Sequence, residues 1–230
     1  MIVKNESHII LETLESIKDY LDYWVICDTG STDNTPELIQ DFFDKVGIKG
    51  ELHRIEWINF GFNRTQAFSF AYKKADYLWV IDADDFLVGS LDFNHVSADS
   101  YRLKYVLGGI TYYRDQLFKG DLQWEYKGVL HEYPYCLSKE NHNIAVIDGN
   151  YYIHARTAGA RSQIDTTSKY LADAKTMEQA LDVEKDDGLV RRYLFYIAQS
   201  YRDAGEQELA IQWYQKRVAA AGWVEEVWYS

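Results

Sequence analysis

The apolar positions of the first 95 residues change period repeatedly along the chain. Ile2 and Val3 form a clipped apolar run, and Ile9, Ile10, Leu14 and Ile17 then recur at helical spacing within residues 7–19. Residues 23–28 are apolar on both faces, which predicts a buried strand. Residues 33–46 open with Asp33, Thr35 and Pro36, a helix-start signal, and keep Leu38, Ile39, Phe42 and Phe43 on one side. Residues 51–57 are strand-like. Residues 63–74 are helical with Phe68, Ala71 and Tyr72 inward, and residues 77–81 predict a buried strand ending at Asp82. Strand–helix–strand, three times over, is the pattern of an open, mostly parallel sheet with helices on both faces. In such sheets ligands bind beyond the carboxyl ends of the strands.

Further on the pattern changes. Residues 101–107, 110–118 and 144–154 are β-rich and punctuated by Gly108-Gly109, Gly120 and Gly149, which predicts antiparallel strands completing the sheet. From residue 165 the chain is helical, with amphipathic stretches 189–204 and 206–221 split by Gly205. Leu194, Ala198, Tyr201, Gly205, Ala210 and Tyr214 stand at offsets resembling those of a tetratricopeptide unit, and Trp228 falls one 34-residue period after Leu194. A plain helical hairpin is the alternative. The fold predicted is α/β over residues 1–160, followed by a small all-α, tetratricopeptide-like segment over residues 161–230.

Composition narrows the function. A net charge of −12 argues against coating nucleic acid or an anionic membrane, since both need a cationic face. It leaves room for a local basic pocket. No apolar stretch approaches the length of a membrane span, and the opening Met1-Ile2-Val3-Lys4-Asn5-Glu6 does not read as a signal peptide. Two cysteines make no disulfide framework, so a cytoplasmic location is expected.

The chemistry concentrates in five places. Asp28-Thr29-Gly30-Ser31-Thr32-Asp33 sets a carboxylate at a strand tip ahead of a helix N-terminus. Asp-Thr-Gly-Ser also occurs in aspartic proteases, but those need the string twice in an all-β setting. A phosphatase of the haloacid-dehalogenase type needs a second acid where Gly30 stands. A sugar or base pocket is the simpler reading, with Asp33 the better Asx-turn cap. Asp82-Ala83-Asp84-Asp85 brings three carboxylates to one strand end, and a spacing of two puts Asp82 and Asp84 on one face of an extended segment. Like charges so close call for a cation, and oxygen ligands suit Mn²⁺ or Mg²⁺. Arg64 opens a helix on the same side, where it can pair with phosphate. His131-Glu132 offers a base and a metal ligand or orienting group. His154 ends a strand as a candidate metal ligand, while Arg161 and Lys169 can neutralise phosphate.

In this order the motifs resemble the family-2 glycosyltransferases of the GT-A fold, in the branch that carries tetratricopeptide-like helices. The strings are Met-Ile-Val-Lys-Asn-Glu at 1–6, Asp-Thr-Gly-Ser-Thr-Asp-Asn-Thr at 28–35, Asp-Ala-Asp-Asp at 82–85, His-Glu at 131–132 and Ile-His at 153–154. The resemblance implies a Rossmann-like mixed sheet and a nucleotide-sugar donor, UDP-linked by family habit. Glu6 and Asp28 would contact base and ribose. Asp82 and Asp84 would be the metal-binding Asp-x-Asp, with Asp84 the direct ligand and His154 completing the set. Inversion would follow from a carboxylate base, Glu132 by first choice and Asp85 by second. The branch commonly has Arg-Asn where Arg64-Thr65 stands and Asp-Ala-Asp-Glu at 82–85; the shorter Asp85 weakens its claim. The acceptor would be a glycan, peptide or protein. Two other classes remain open: an inert transferase-like scaffold whose helices bind a partner, and a metal-dependent phosphohydrolase.

Overall fold

The computed structural model describes residues 1–222. The chain divides into two compact units. The first comprises residues 1–58, 62–126 and 134–161; the second comprises residues 59–61, 127–133 and those from Ser162 onward.

The first unit begins with β1 (Ile2–Val3), α1 (Ile10–Ile17), β2 (Trp24–Asp28), α2 (Thr35–Val46) and β3 (Gly50–Arg54). The strands pair in parallel in the order β1-β2-β3, with Ile2 opposite Cys27 and Trp24 opposite Gly50. The helices pack their apolar stripes on this sheet: Ile10 and Leu14 from α1 and Ile39 and Phe43 from α2 bury with Val3, Trp24 and Ile26. Leu38 and Phe42 are only half-buried. Trp24 stacks on Phe43 with ring centroids 4.4 Å apart. The indole also explains the residue that opens β3, since a Cβ on Gly50 would come within 2.2 Å of it.

α3 (Phe60–Ala71) leads to β4 (Tyr77–Trp79), then β5 (Phe86–Gly89), β6 (Ser100–Leu107), β7 (Ile110–Lys119), β8 (Trp124–Lys127), β9 (Tyr133–Cys136), β10 (Ile144–Val146) and β11 (Tyr151–His154). The β6–β7 hairpin turns on Gly108 and Gly109, at φ of 54° and 84°. Two left-handed residues in a two-residue loop match the twist of the flanking strands, and glycine adopts them without strain.

Two sequence expectations need correction. The predicted parallel sheet does not continue into β4. β4 is half-buried and pairs antiparallel with β7, in a second sheet ordered β4-β7-β6-β11-β5 with β10 beside β6. A cavity of about 350 Å³ is lined by Val25 and Ile26 on one side and Leu78 and Val80 on the other. The predicted strand 144–154 is two short strands, and both run parallel to β6; β11 is antiparallel only to β5. β5, β8 and β9 were not anticipated; they are four-residue strands with little periodic signal.

In the second unit α4 (Thr166–Leu181), α5 (Asp187–Asp203) and α6 (Gln207–Ala219) follow in sequence, α4 packing on α5 and α5 on α6. Asp165 caps α4 through the Ser168 N–H, and Asp186 caps α5 through those of Gly188 and Leu189. Leu189, Tyr193, Ile197 and Tyr201 form one stripe of α5, buried with Ala174, Met177, Ala210 and Leu130. Fully buried Ala174 and Ala198 let the helices approach closely. Trp228 lies outside the described residues. Among the described residues no helix is long and apolar enough to cross a membrane.

Candidate functional site

The motifs at residues 3–7 and 28–35 form one hydrogen-bonded structure. Thr29 N–H donates to Val3 O (2.9 Å), Asn5 N–H to Ser31 Oγ (2.9 Å) and Thr32 N–H to Asn5 Oδ1 (2.7 Å). Glu6 N–H donates to Thr35 Oγ1 (2.8 Å) and Ser7 N–H to Asp33 Oδ2 (3.2 Å). Burial alone would raise the Asp33 carboxyl, but hydrogen bonds from Thr35 and Ser7 outweigh it and hold the group down at about 2. Asp28 is buried at the tip of β2, and its carboxylate accepts from Ser31 N–H at 3.1 and 3.3 Å. Asp28 therefore closes a turn too, a role the sequence suggested for Asp33. Asp28, Gly30, Asp33, Glu37 and Arg54 border an open depression of about 490 Å³ beyond the ends of β2 and β3.

After β4 the three aspartates separate. Asp82 Oδ1 accepts from Arg64 of α3 at 2.6 Å, and Oδ2 accepts from Arg114 of β7 at 3.0 Å. Burial disfavours its charge, but the two guanidiniums hold Asp82 well below the ordinary carboxylate range. Gln116, with its amide turned to satisfy both neighbours, accepts from Arg114 Nε at 2.9 Å. The chain turns at Ala83-Asp84, with Asp85 N–H donating to Asp82 O (3.2 Å), so Asp82 and Asp84 do not lie on one extended face as their spacing predicts. Asp85 is 3% exposed, and its Oδ2 has no hydrogen-bond partner. Burial first, then the charges of Asp82 and Asp84, push its carboxyl up to about 8.

Asp84 instead faces the segment after β11. Its Oδ2 accepts from Gly159 N–H (2.9 Å) and Ala158 N–H (3.3 Å), while Arg156 Nε donates to its carbonyl (2.7 Å). The next amide, Ala160 N–H, donates to both oxygens of Glu6 at 3.2 Å. Glu6 and Asp84 thus converge on three successive peptide groups. Burial, opposed by the Ala160 amide and aided by the Asp84 charge, raises the Glu6 carboxyl. Gly159 stands at the convergence, where a Cβ would meet Asp84 Oδ2 at 3.1 Å and Glu6 Oε1 at 3.3 Å. Arg161 follows on the short 3₁₀ helix Ala160–Gln163.

The structure brings together Glu6 with Asp84 and Arg64 with Asp82. His154 lies on β11 opposite Phe86, its ring 5.0 Å from that phenyl. His131, Glu132 and Lys169 belong to the second unit. Among the described residues no three His, Cys, Asp or Glu side chains form a group able to hold a metal ion. Both oxygens of Asp82 are already taken by guanidiniums. Asp84 keeps Oδ1 for a hard cation, which fits a site made from one carboxylate plus substrate phosphates. Sequence reasoning missed Arg114. Its signal is faint: Tyr112, Arg114 and Gln116 alternate along β7, with Tyr112 opposite Tyr105.

Comparison with known proteins agrees with this architecture. Residues 1–161 match the model of Glycosyl transferase family 2. The TPR repeat-containing protein Synpcc7942_0270 of Synechococcus elongatus is 35% identical over 89 residues, which is 38% of this chain and 20% of that protein. The chain spans about a fifth of that relative's length. The solved structure of S. aureus TarS superposes with a TM-score of 0.52 at 14% identity, over 96% of this chain and 48% of that one. TarS 1-349 superposes with a TM-score of 0.46, also at 14% identity, over 95% and 79%. At such identity the likeness is one of fold, which here is the α/β GT-A arrangement. A family match that runs from β1 through the segment after β11, across every strand-end motif of the first unit, makes this chain a member of glycosyl transferase family 2.

Proposed function

We propose that the chain is a metal-dependent, inverting glycosyltransferase that moves a sugar from a nucleoside-diphosphate donor, UDP-linked by first choice, to a hydroxyl of a glycan, peptide or protein. The observation that carries this reading is the convergence of Glu6 and Asp84 on the amides of residues 158–160, next to an aspartate that holds two arginines. Asp28 and Glu6 serve the base and ribose. The depression beyond β2 and β3 is of the size that small ligands occupy. Arg64 and Arg161 face the diphosphate. Asp82 acts by orienting Arg64 and Arg114, which leaves Asp84 to hold Mn²⁺ or Mg²⁺. The cation supplies neutralisation of charge on the leaving diphosphate.

Glu132 is the general base. It takes the proton of the acceptor hydroxyl as that oxygen bonds to the anomeric carbon. The anomeric carbon–phosphate oxygen bond breaks and its electron pair leaves with the nucleoside diphosphate. Attack opposite the leaving group inverts the centre, and base assistance is worth about 10²–10⁴-fold. Asp85, buried at the end of the turn that carries Asp84, is the second choice for this role.

The test is a melting-temperature panel of nucleoside diphosphates and nucleotide sugars, each with Mn²⁺ and with EDTA. A ligand at about 100 times its Kd adds roughly 2.7 kcal/mol. One nucleotide is expected to stabilise the protein only with Mn²⁺, and Asp84→Ala to lose that response. A folded sample that responds to no nucleotide overturns the reading.

A further inference from the structure

Helix α5 does more than fill the core of the second unit. Three of its residues hold the turn that carries the His-Glu motif. Val129 N–H donates to the Tyr193 hydroxyl at 2.9 Å. Arg192 Nε donates to the His131 carbonyl at 2.7 Å. The His131 ring stacks on Tyr196, with centroids 3.8 Å apart and planes 6° from parallel. The Arg192 guanidinium sits 5.0 Å from the centroid of Tyr196 and 5.4 Å from that of Tyr133, so it is fixed from both sides. Leu130 anchors the turn from within, buried with Tyr193 and Ile197.

The turn needs this support. His131 has φ of 51°, a left-handed backbone that costs a non-glycine residue roughly 1–2 kcal/mol. Such a conformation persists where its surroundings over-determine it, and it marks sites where direction matters. The Arg192 bond acts on the carbonyl of the peptide group that joins His131 to Glu132. Fixing that peptide plane fixes the N–Cα bond of Glu132, from which its side chain departs.

We propose that Arg192, Tyr193 and Tyr196 are positioning residues for Glu132, so that the helical segment belongs to the catalytic machinery and not solely to a partner-binding surface. The proposal rests on Glu132 being the base. A displacement of about 1 Å at a reacting group can cost on the order of 10²-fold, and the loss appears in kcat rather than in donor binding.

The experiment uses the full chain and the nucleotide sugar that raises its melting temperature. It measures nucleotide release with water as acceptor: water gives its proton to Glu132, its oxygen bonds to the anomeric carbon, and the diphosphate leaves with the electron pair. Tyr193→Phe removes only the hydroxyl, and Arg192→Ala only the carbonyl contact and the ring cover. Each is expected to lower kcat about tenfold or more with donor KM within twofold of wild type. Arg192→Lys is expected to recover little, because Nε is lost. In a Glu132→Gln background neither change is expected to lower the rate further. Unchanged kcat in both variants, or kcat and donor KM shifting together, overturns the positioning role while leaving the base assignment intact. Full turnover by Glu132→Gln, or no turnover of any nucleotide sugar by the wild type, overturns the base reading and this proposal with it.

Discussion

Asp82 and Asp85 stand three positions apart and titrate in opposite directions. The difference is the company each keeps. Asp82 has a guanidinium on each oxygen, whereas Asp85 has an orphaned oxygen and two acidic neighbours. The sequence shows three carboxylates at a strand end but not which one stays charged, because Arg114 arrives from 32 residues away on β7. Its pairing makes a prediction. In a double-mutant cycle of Asp82→Ala and Arg114→Ala, unfolding should return a coupling of about 1–3 kcal/mol; additive effects would mean that the pair is incidental. A second prediction concerns acid. Asp33 titrates at about 2 when folded against an ordinary 3.8, so its stabilisation is complete above 3.8 and fades as pH falls from there through 2. The group is partly exposed, so solvent screening limits the effect to about 1 kcal/mol. Asp33→Ala should therefore unfold earlier than wild type at pH 7, by a gap that shrinks as pH falls from 3.8 through 2. A gap that stays constant over that range would assign the stabilisation to something other than the charge.

At the scale of elements, α1, α2 and β2 were legible because each buries one face or both, and burial writes a period into the sequence. Pairing was less legible. Nothing in Tyr77–Trp79 announces that its ladder runs antiparallel to β7, since register depends on partners distant in the chain. The segment after β11 is the clearest case. It has no regular structure until Ala160, yet its amides bind Asp84 and Glu6, and Arg156 reaches Glu12 at 2.5 Å. Gly159 is the residue to test. A methyl there must push both carboxylates by a few tenths of an ångström. Gly159→Ala is expected to weaken Mn²⁺-dependent nucleotide binding severalfold and to shift the melting temperature of the ligand-free protein little. Unaltered affinity would show that the convergence of Glu6 and Asp84 plays no part in binding.

For the whole molecule, the boundary read from sequence near residue 160 and the end of the family match at 161 suggest a transferase that stops before the helices. The contacts give a different division. Residues 59–61 and 127–133 lie inside the first 161 positions but belong to the second unit. Leu130 is 6% exposed among Met177, Leu189, Tyr193 and Ile197, and Phe60 and Val129 pack against the same cluster. Each large apolar side chain returned to water costs about 1.5–3 kcal/mol. The left-handed His131 would also lose the Arg192 and Tyr196 contacts that hold it. A chain cut after Arg161 should therefore bind a hydrophobic dye, melt with lower cooperativity and show no sugar transfer, even though it retains the entire family match. Cooperative melting of that shortened chain, with turnover equal to the full chain, would make the helices an independent appendage. Loss of turnover in a shortened chain that still binds nucleotide with Mn²⁺ would instead place the defect at the His-Glu turn, which loses the α5 contacts that hold it.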